Sequence, residues 1–391
     1  MGASGSCRWR DDPRYPWLVL AAAPGLGPKT FQRLQAELGA PHRIIEASAR
    51  ALRAVGLHPA ACEAIVSPDC AALEPSLLWA RQDDAHLVTL DDPRYPRRLA
   101  EIPDAPLLLY VRGDVNLLAE PQLAIVGSRT PTPQGLETTR EMAGELAKRG
   151  LVITSGMASG VDAAAHDGAL RNGATIAVLG TGPDRVYPSS HRALAHRIVE
   201  FGALVSEYPP GVGPRPAHFP RRNRLISGLS LGTLVTEAAE QSGSLITARL
   251  AAEQGREVFA VPGSIRNPRA RGCHALLREG AKLVERVEDI LIELAPLLRL
   301  SCSETLLCRE TGNAESSESG DTSAAVLDED YRHLIDCMGF DPVSLDELIV
   351  RSGLSAATVS SMLLLLELQG SVSSCPGGRY CRNSVGGAEV G

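Results

Sequence analysis

Residues His218 to Ala248, HFPRRNRLISGLSLGTLVTEAAEQSGSLITA, run from a basic knot straight into an apolar stretch. Arg221, Arg222 and Arg224 stand beside Phe219 just ahead of that stretch. Guanidinium forks bind phosphate oxygens bidentately, and an aromatic face stacks on an unpaired base. Cations and a ring offered at one place therefore suit a polyanion that carries bases. The same residues also fit a plainer role, with the arginines as a solvated helix start and Phe219 in the core.

Other candidate chemistry lies where short apolar runs end. LAIVG ends in Gly127-Ser128-Arg129, with Pro131 and Pro133 leading into a helical pattern, so amides, a hydroxyl and a guanidinium meet at a helix start suited to an anion. LVITS ends in Ser155-Gly156-Met157-Ala158-Ser159-Gly160, whose glycines admit close approach to backbone, and TIAVLG ends in Gly180-Thr181-Gly182. Each alone reads as an ordinary strand-to-helix turn; together with the basic knot they read as phosphate binding. No GxGxxG follows the first run, which argues against a conventional NAD site. The sequence offers no P-loop, no Ser/His/Asp set and no metal cluster, so neither a metal nor a cofactor is expected. Glu207 and Glu237 are open to two readings, an acid/base pair or carboxylates that cap helices and pair with arginine.

The elements that must position these residues are apolar runs at 123–127, 151–155, 175–180, 203–207, 233–237 and 258–262, separated by amphipathic helical patterns such as LETTREMAGELAKRG. The runs do not alternate, as expected for parallel strands covered on both faces. The fold expected is α/β, a Rossmann-like doubly wound parallel sheet over residues 81–300, with ligands beyond the carboxyl ends of the strands. Residues 1–80 read as a helical domain of the SAM or helix-hairpin-helix kind, with Gly25 and Gly27 in a turn whose amides suit one backbone phosphate or simply close a helix pair. Residues 301–329 hold Glu304, Glu310, Glu315, Glu318, Asp321, Asp328 and Glu329 against Arg309 and read as an acidic, disordered linker. Residues 330–385 read as a winged helix. Its third helix, between Ser355 and Gln369, contains no Lys or Arg, which argues against reading the major groove.

The chain has 391 residues, a hydrophobic share of 44% and a charged share of 22%, and no run long enough to cross a bilayer. With no signal-peptide pattern at the start, a cytoplasmic protein is expected. Nine cysteines without a CxxC pair argue against a disulfide framework and a zinc ribbon, and the equal spacing of Cys302/Cys308 and Cys375/Cys381 reads as incidental. A net charge of −7 opposes non-specific DNA binding, but the acids gather in the linker, so any nucleic-acid contact should be a local groove.

The segments IVGSRTPTPQG, SGMASGVDAAAHDGAL, YPSSHRAL, SEYPPG, HFPRRNRLISGLS, EAAEQSGSLITA and GREVFAVPGS resemble, in order and spacing, DNA processing protein A, the DprA/Smf family. The resemblance is strong from about Leu87 to Leu294. It implies a dimeric, non-enzymatic, cytoplasmic binder of single-stranded DNA that protects incoming DNA during natural transformation and loads RecA. It also implies DNA contacts at Ser128, Arg129, Ser155, Gly156, Phe219, Arg221, Arg222 and Arg224, and a homodimer built through the sheet end near ISGLSLGTLVTEAAEQSGSLITARLAA. His191 and Gly272-Cys273-His274 depart from the asparagines frequent in the family, though a histidine still donates hydrogen bonds. The alternative is a Rossmann-like nucleotide hydrolase of the phosphoribohydrolase (lysine-decarboxylase-like) kind. Gly232-Thr233 to Glu237 approximates that family's GT-x-x-E element but is one residue too long and lacks the preceding double glycine.

Overall fold

The computed structural model describes residues 9–306 and, further on, 331, 334, 338, 342–368, 371–375 and 379–382. Its centre is a sheet of β1 (Ala85–Thr89), β2 (Leu108–Gly113), β3 (Gln122–Val126), β4 (Val152–Ser155), β5 (Thr175–Val178), β6 (Ala203–Ser206), β7 (Gly232–Val235), β8 (Glu257–Ala260) and β9 (Lys282–Leu283). The order is β1-β2-β6-β5-β4-β3-β7-β8-β9, parallel from β6 through β9, with β2 antiparallel to both β6 and β1. Each expected strand is present. The antiparallel β1–β2 extension and the short β9 are additions to the expected sheet.

The absence of alternation in these runs has a direct cause in packing. Ala124 and Val126 of β3 join Val152, Ile176, Val178 and Val205 in one core, under α11 (His218–Leu229), α12 (Ser244–Glu253) and α13 (Arg271–Arg278). Leu123 and Ile125 face the opposite way, with Ile153, Leu234 and Phe259, under α8 (Pro133–Lys148), α9 (Val161–Ala169) and α14 (Val287–Leu306). Both faces being buried, polar residues are excluded from either parity. A third cluster seats α10 (Arg192–Phe201) through Ala195 and Ile198 against Ala177, Leu179 and Leu204.

Ahead of the sheet lie α1 (Tyr15–Ala22), α2 (Pro28–Leu38), α3 (Pro41–Glu46), α4 (Ala49–Ala54), α5 (Pro59–Val66) and α6 (Cys70–Trp79), with α7 (Arg97–Ala100) between β1 and β2. Gly25 at φ +72° turns the chain between α1 and α2, and Gly27 caps α2 ahead of Pro28. The helices share one core with the sheet's edge: Tyr15, Trp17 and Phe31 cluster with Leu87, Leu108 and Tyr110. Ser76 Oγ lies 3.0 Å from Tyr110 Oη, and Trp79 meets the Tyr110 ring edge-on. The helical segment thus belongs to the same compact unit as the sheet.

The second unit contains the winged helix: β10 (Val343–Ser344), α15 (Leu345–Ser352), α16 (Ala356–Leu368), β11 (Val372–Cys375) and β12 (Arg379–Arg382). Ser344 and Glu347 form a reciprocal capping box that starts α15. Leu334, Met338, Leu348, Val359, Met362 and Leu366 make its core. Across β11 and β12 the Cys375 and Cys381 sulfurs are 2.7 Å apart as free thiols, so the cross-strand pairing brings these two together; Cys308 of the equally spaced pair lies outside the described residues. The expected acidic linker begins as the end of α14, which continues to Leu306; the rest of it lies outside the described residues. Among the described residues no helix is long and apolar enough to cross a membrane.

Candidate nucleic-acid interface

The chain leaves β3 for β4 on one side and reaches β7 on the other, so β3 and β7 flank the topological switch point at which doubly wound sheets bind ligands. An added Cβ at Gly127 would lie 2.7 Å from both the Glu237 carbonyl oxygen and Val161 Cγ2, so only glycine fits between the elements there. That close approach lets Ser128 N donate to Glu237 O at 2.6 Å, while Ser128 O accepts from Val161 N at 3.1 Å. Ser128 is buried, its hydroxyl accepting from Thr130 N. Arg129 is exposed and has no hydrogen-bond or ion-pair partner among the described residues. A cation held on a fixed turn, attracted through space to the buried Asp162 but without a bonded partner, is ready for an anion.

At the end of β4, Ser155 is fully buried and its hydroxyl donates to Ile125 O at 2.6 Å, which ties β4 to β3. Gly156 follows, and a Cβ there would stand 2.7 Å from both terminal nitrogens of Arg222. Glycine therefore lets that guanidinium lie against backbone, where it donates to the Val178 carbonyl. Arg222 is only 5% exposed and its Nε has no hydrogen-bond partner. Asp162 also crowds Gly156 and accepts from Ala158 N at 3.1 Å. Burial pushes the Asp162 carboxyl up and the Arg222 charge opposes that shift. His166 Nε2 donates to the Gly156 carbonyl at 2.6 Å, and burial holds this imidazole down to about 4.

The basic knot is split by helical geometry. At about 100° per residue, positions 221 and 224 share one side of α11 and position 222 points elsewhere. Arg221 and Arg224 both reach Glu207 Oε1, at 3.4 Å and 2.6 Å. Arg224 also pairs with Asp104 at 2.8 Å and its side chain is 6% exposed, so its charge is committed inside the protein. Arg221 is 62% exposed, and its long contact with Glu207 leaves it accessible. Phe219 is half-buried; its ring lies 3.0 Å from where a Cβ would stand on Gly180.

Of the residues picked out by sequence, Arg129, Phe219 and Arg221 offer surface to a ligand, Gly156 and Arg222 form a buried wall, and Ser128, Ser155 and Arg224 brace the frame. Sequence reasoning missed the rings around Phe219. Tyr187 lies 5.6 Å from it, centroid to centroid, and His218 stacks on Tyr208 at 4.0 Å while its Nδ1 donates to Gly180 O at 3.1 Å. Aromatic residues make up only 4% of the chain, so this gathering just past β5 and β6 is a concentration. Their place in the segments that follow β5 and β6 is the signal that sequence alone offered. His191 and His274 each donate to a backbone carbonyl, Met157 O at 3.0 Å and Gly263 O at 2.9 Å, a bond an asparagine amide would also supply.

Glu207 and Glu237 stand past β6 and β7, with β5, β4 and β3 between them. At about 4.8 Å per strand step the separation is roughly 19 Å, too wide for carboxylates acting on one bond. Glu237 Oε1 accepts from Asn267 Nδ2 at 2.9 Å. Among the described residues no group of His, Cys, Asp and Glu is placed to hold a metal ion.

Fold and site together define a doubly wound α/β protein whose strand ends present exposed cations and aromatic rings, followed by a winged helix. The chain belongs to the DNA recombination-mediator protein A family, which it matches over residues 86–295, and residues 318–378 match the DprA winged helix domain. It is 43% identical over 309 residues to protein Smf of Escherichia coli K12, covering 78% of this chain and 80% of that one. The X-ray structure of DNA processing protein A from Streptococcus pneumoniae superposes with a TM-score of 0.62 at 39% identity, over 71% of this chain and 95% of that one. A Helicobacter pylori structure, described as showing a single-stranded DNA binding mode of DNA processing protein A, superposes with a TM-score of 0.50 at 33% identity, over 54% of this chain and 96% of that one.

Proposed function

We propose that this chain is a non-enzymatic binder of single-stranded DNA that works as a homodimer in the cytoplasm, shields incoming strands during natural transformation and hands them to RecA. The observation that carries the DNA-binding part is the unpaired Arg129 on the same strand-end edge as Phe219, Tyr187 and Arg221. Phosphates meet the guanidinium groups and unpaired bases meet the rings, a combination indifferent to sequence. Duplex DNA keeps its bases stacked inside and leaves the rings unused. The Helicobacter pylori relative's described mode of binding supports the same reading. The hydrolase alternative loses support from the wide separation of Glu207 and Glu237.

The winged helix has an auxiliary or docking role in this account. Its α16 has no Lys or Arg and exposes Leu364 and Leu365, a surface suited to protein rather than to phosphate. Fluorescence anisotropy with one oligonucleotide, single-stranded and annealed to its complement, tests the proposal across a salt series. Single strands should bind tighter, with affinity falling as salt rises through counterion release. Equal or tighter duplex binding rejects it. Loading is tested separately, by RecA filament assembly on strands pre-coated with a single-strand binding protein, with and without this chain.

A further inference from the structure

Beside the candidate interface lies a cavity of about 470 Å³ over the ends of β5 and β6, roofed by α10. Its polar lining is Arg112, Arg185, Arg192, His196 and Thr181, with Asp184 as the acid and Tyr187 at one wall. Arg112 is committed to Asp84 at 2.8 Å. Arg185 is 56% exposed and 3.6 Å from Asp184, whose other oxygen accepts from Gly211 N at 2.8 Å. Arg192 and His196 are exposed and have no hydrogen-bond or ion-pair partner among the described residues. The lining therefore carries more positive than negative charge, and its arginine forks are not all used.

Tyr187 connects this cavity to the first site. Its ring is 50% exposed, meets Phe219 at 5.6 Å and lines the cavity. A strand stacked on Phe219 would pass next onto Tyr187, which would bring the phosphate beyond it to Arg185 and Arg192 in the same lining. Along the strand ends the sequence of contacts runs from Arg129 after β3, past Arg222 at β4 and β5, to Phe219, Tyr187 and the cavity. We infer that the arginine-lined cavity beside Tyr187 is a second phosphodiester subsite, into which the same single strand continues after leaving Phe219. The inference rests on the single-strand reading above and extends it by naming the strand's path. Continuity through Tyr187 favours a phosphodiester of the bound strand over the phosphate of a free nucleotide, which presents the same chemistry.

The test compares the full chain with Arg185→Ala/Arg192→Ala, Tyr187→Ala and Tyr187→Phe, using oligothymidylates of about 5 and about 20 nucleotides, which bracket common single-strand site sizes. Arg197→Ala, on α10 but paired with Asp167 and outside the cavity, controls for loss of charge. The double variant should bind the long oligomer about tenfold or more weakly and lose about 0.7 from its salt slope, the value for one phosphate, with the short oligomer nearly unaffected. Tyr187→Ala should weaken the long oligomer about tenfold, and Tyr187→Phe should restore it, because stacking needs the ring and not the hydroxyl. An unchanged affinity and slope for the long oligomer, or equal losses at both lengths, overturns the subsite. So does saturable binding of thymidine monophosphate that Arg192→Ala abolishes while the length dependence persists. Failure of the unaltered chain to bind either oligomer rejects the single-strand reading itself, a different result from binding that ignores the variants.

Discussion

Replacing Arg129 by alanine removes a guanidinium that is exposed and bonds to nothing else among the described residues, so the folded protein should be nearly unaffected. What is lost is a charge-assisted contact to phosphate, of about 1.5 to 3 kcal/mol, or roughly 10- to 150-fold in affinity. The salt slope should fall by about 0.7 for one single-strand phosphate. Arg224→Ala provides the opposite case. Its guanidinium is 6% exposed and pairs with Glu207, itself only 14% exposed, so truncation leaves a mostly buried carboxylate with only the longer 3.4 Å contact of the exposed Arg221. That should cost stability, by about 3 kcal/mol, at the low end for broken buried pairs because the other partner, Asp104, is 64% exposed. Anisotropy titrations in a salt series together with denaturant unfolding separate the two variants. If Arg129→Ala binds with unaltered affinity and slope while remaining folded, the assignment of its free charge to DNA is refuted.

Gly180→Val should displace the Phe219 ring, which lies 3.0 Å from the position of a Cβ, and weaken single-strand binding by about 1 to 3 kcal/mol, measured by anisotropy beside an unfolding curve. A pH series of denaturant unfolding should register His166: the folded ring is held to about 4 while the unfolded one titrates near 6.5, so the unfolded state takes up the proton first. Its contribution is complete above about pH 6.5 and is lost as pH falls toward 4, by about 3 kcal/mol, and His166→Asn should flatten the curve over that window. A chain ending after Leu306, where α14 ends, should bind single strands within tenfold of the full chain, because the removed part has an acidic linker and a third helix without cations. A larger loss, with the remaining unit intact, would give the winged helix a direct part in the DNA site.

The central strands were legible because each lies buried on both faces and so reads as an unbroken apolar run. β1 and β2 carry the same kind of residues, but their place is set by antiparallel pairing of Tyr110 with Ser206 and Arg112 with Leu204, partners almost a hundred residues away. The two residues of β9 are too few to show any period. At the site, the glycine-rich strand ends and the arginine cluster were visible, whereas the duties of the three arginines were not. Arg222 and Arg224 look equivalent in FPRRNR, and what separates them is the rotation of α11 and the remote Asp162, Asp104 and Glu207. Tyr187 was visible in YPSSHRAL but its part in the site was not, since its contact with Phe219 exists only once the segment after β5 is packed on α11.

Unpaired bases are expected on the rings at the strand-end edge of the sheet, and photo-crosslinking tests that placement most directly. A single strand carrying 5-iodouracil is irradiated with the full chain, and the attached peptides are mapped by mass spectrometry. The prediction is attachment at Phe219 and Tyr187, lost in Phe219→Ala and reduced in Arg129→Ala. Attachment confined to the winged helix or to the N-terminal helices would contradict it.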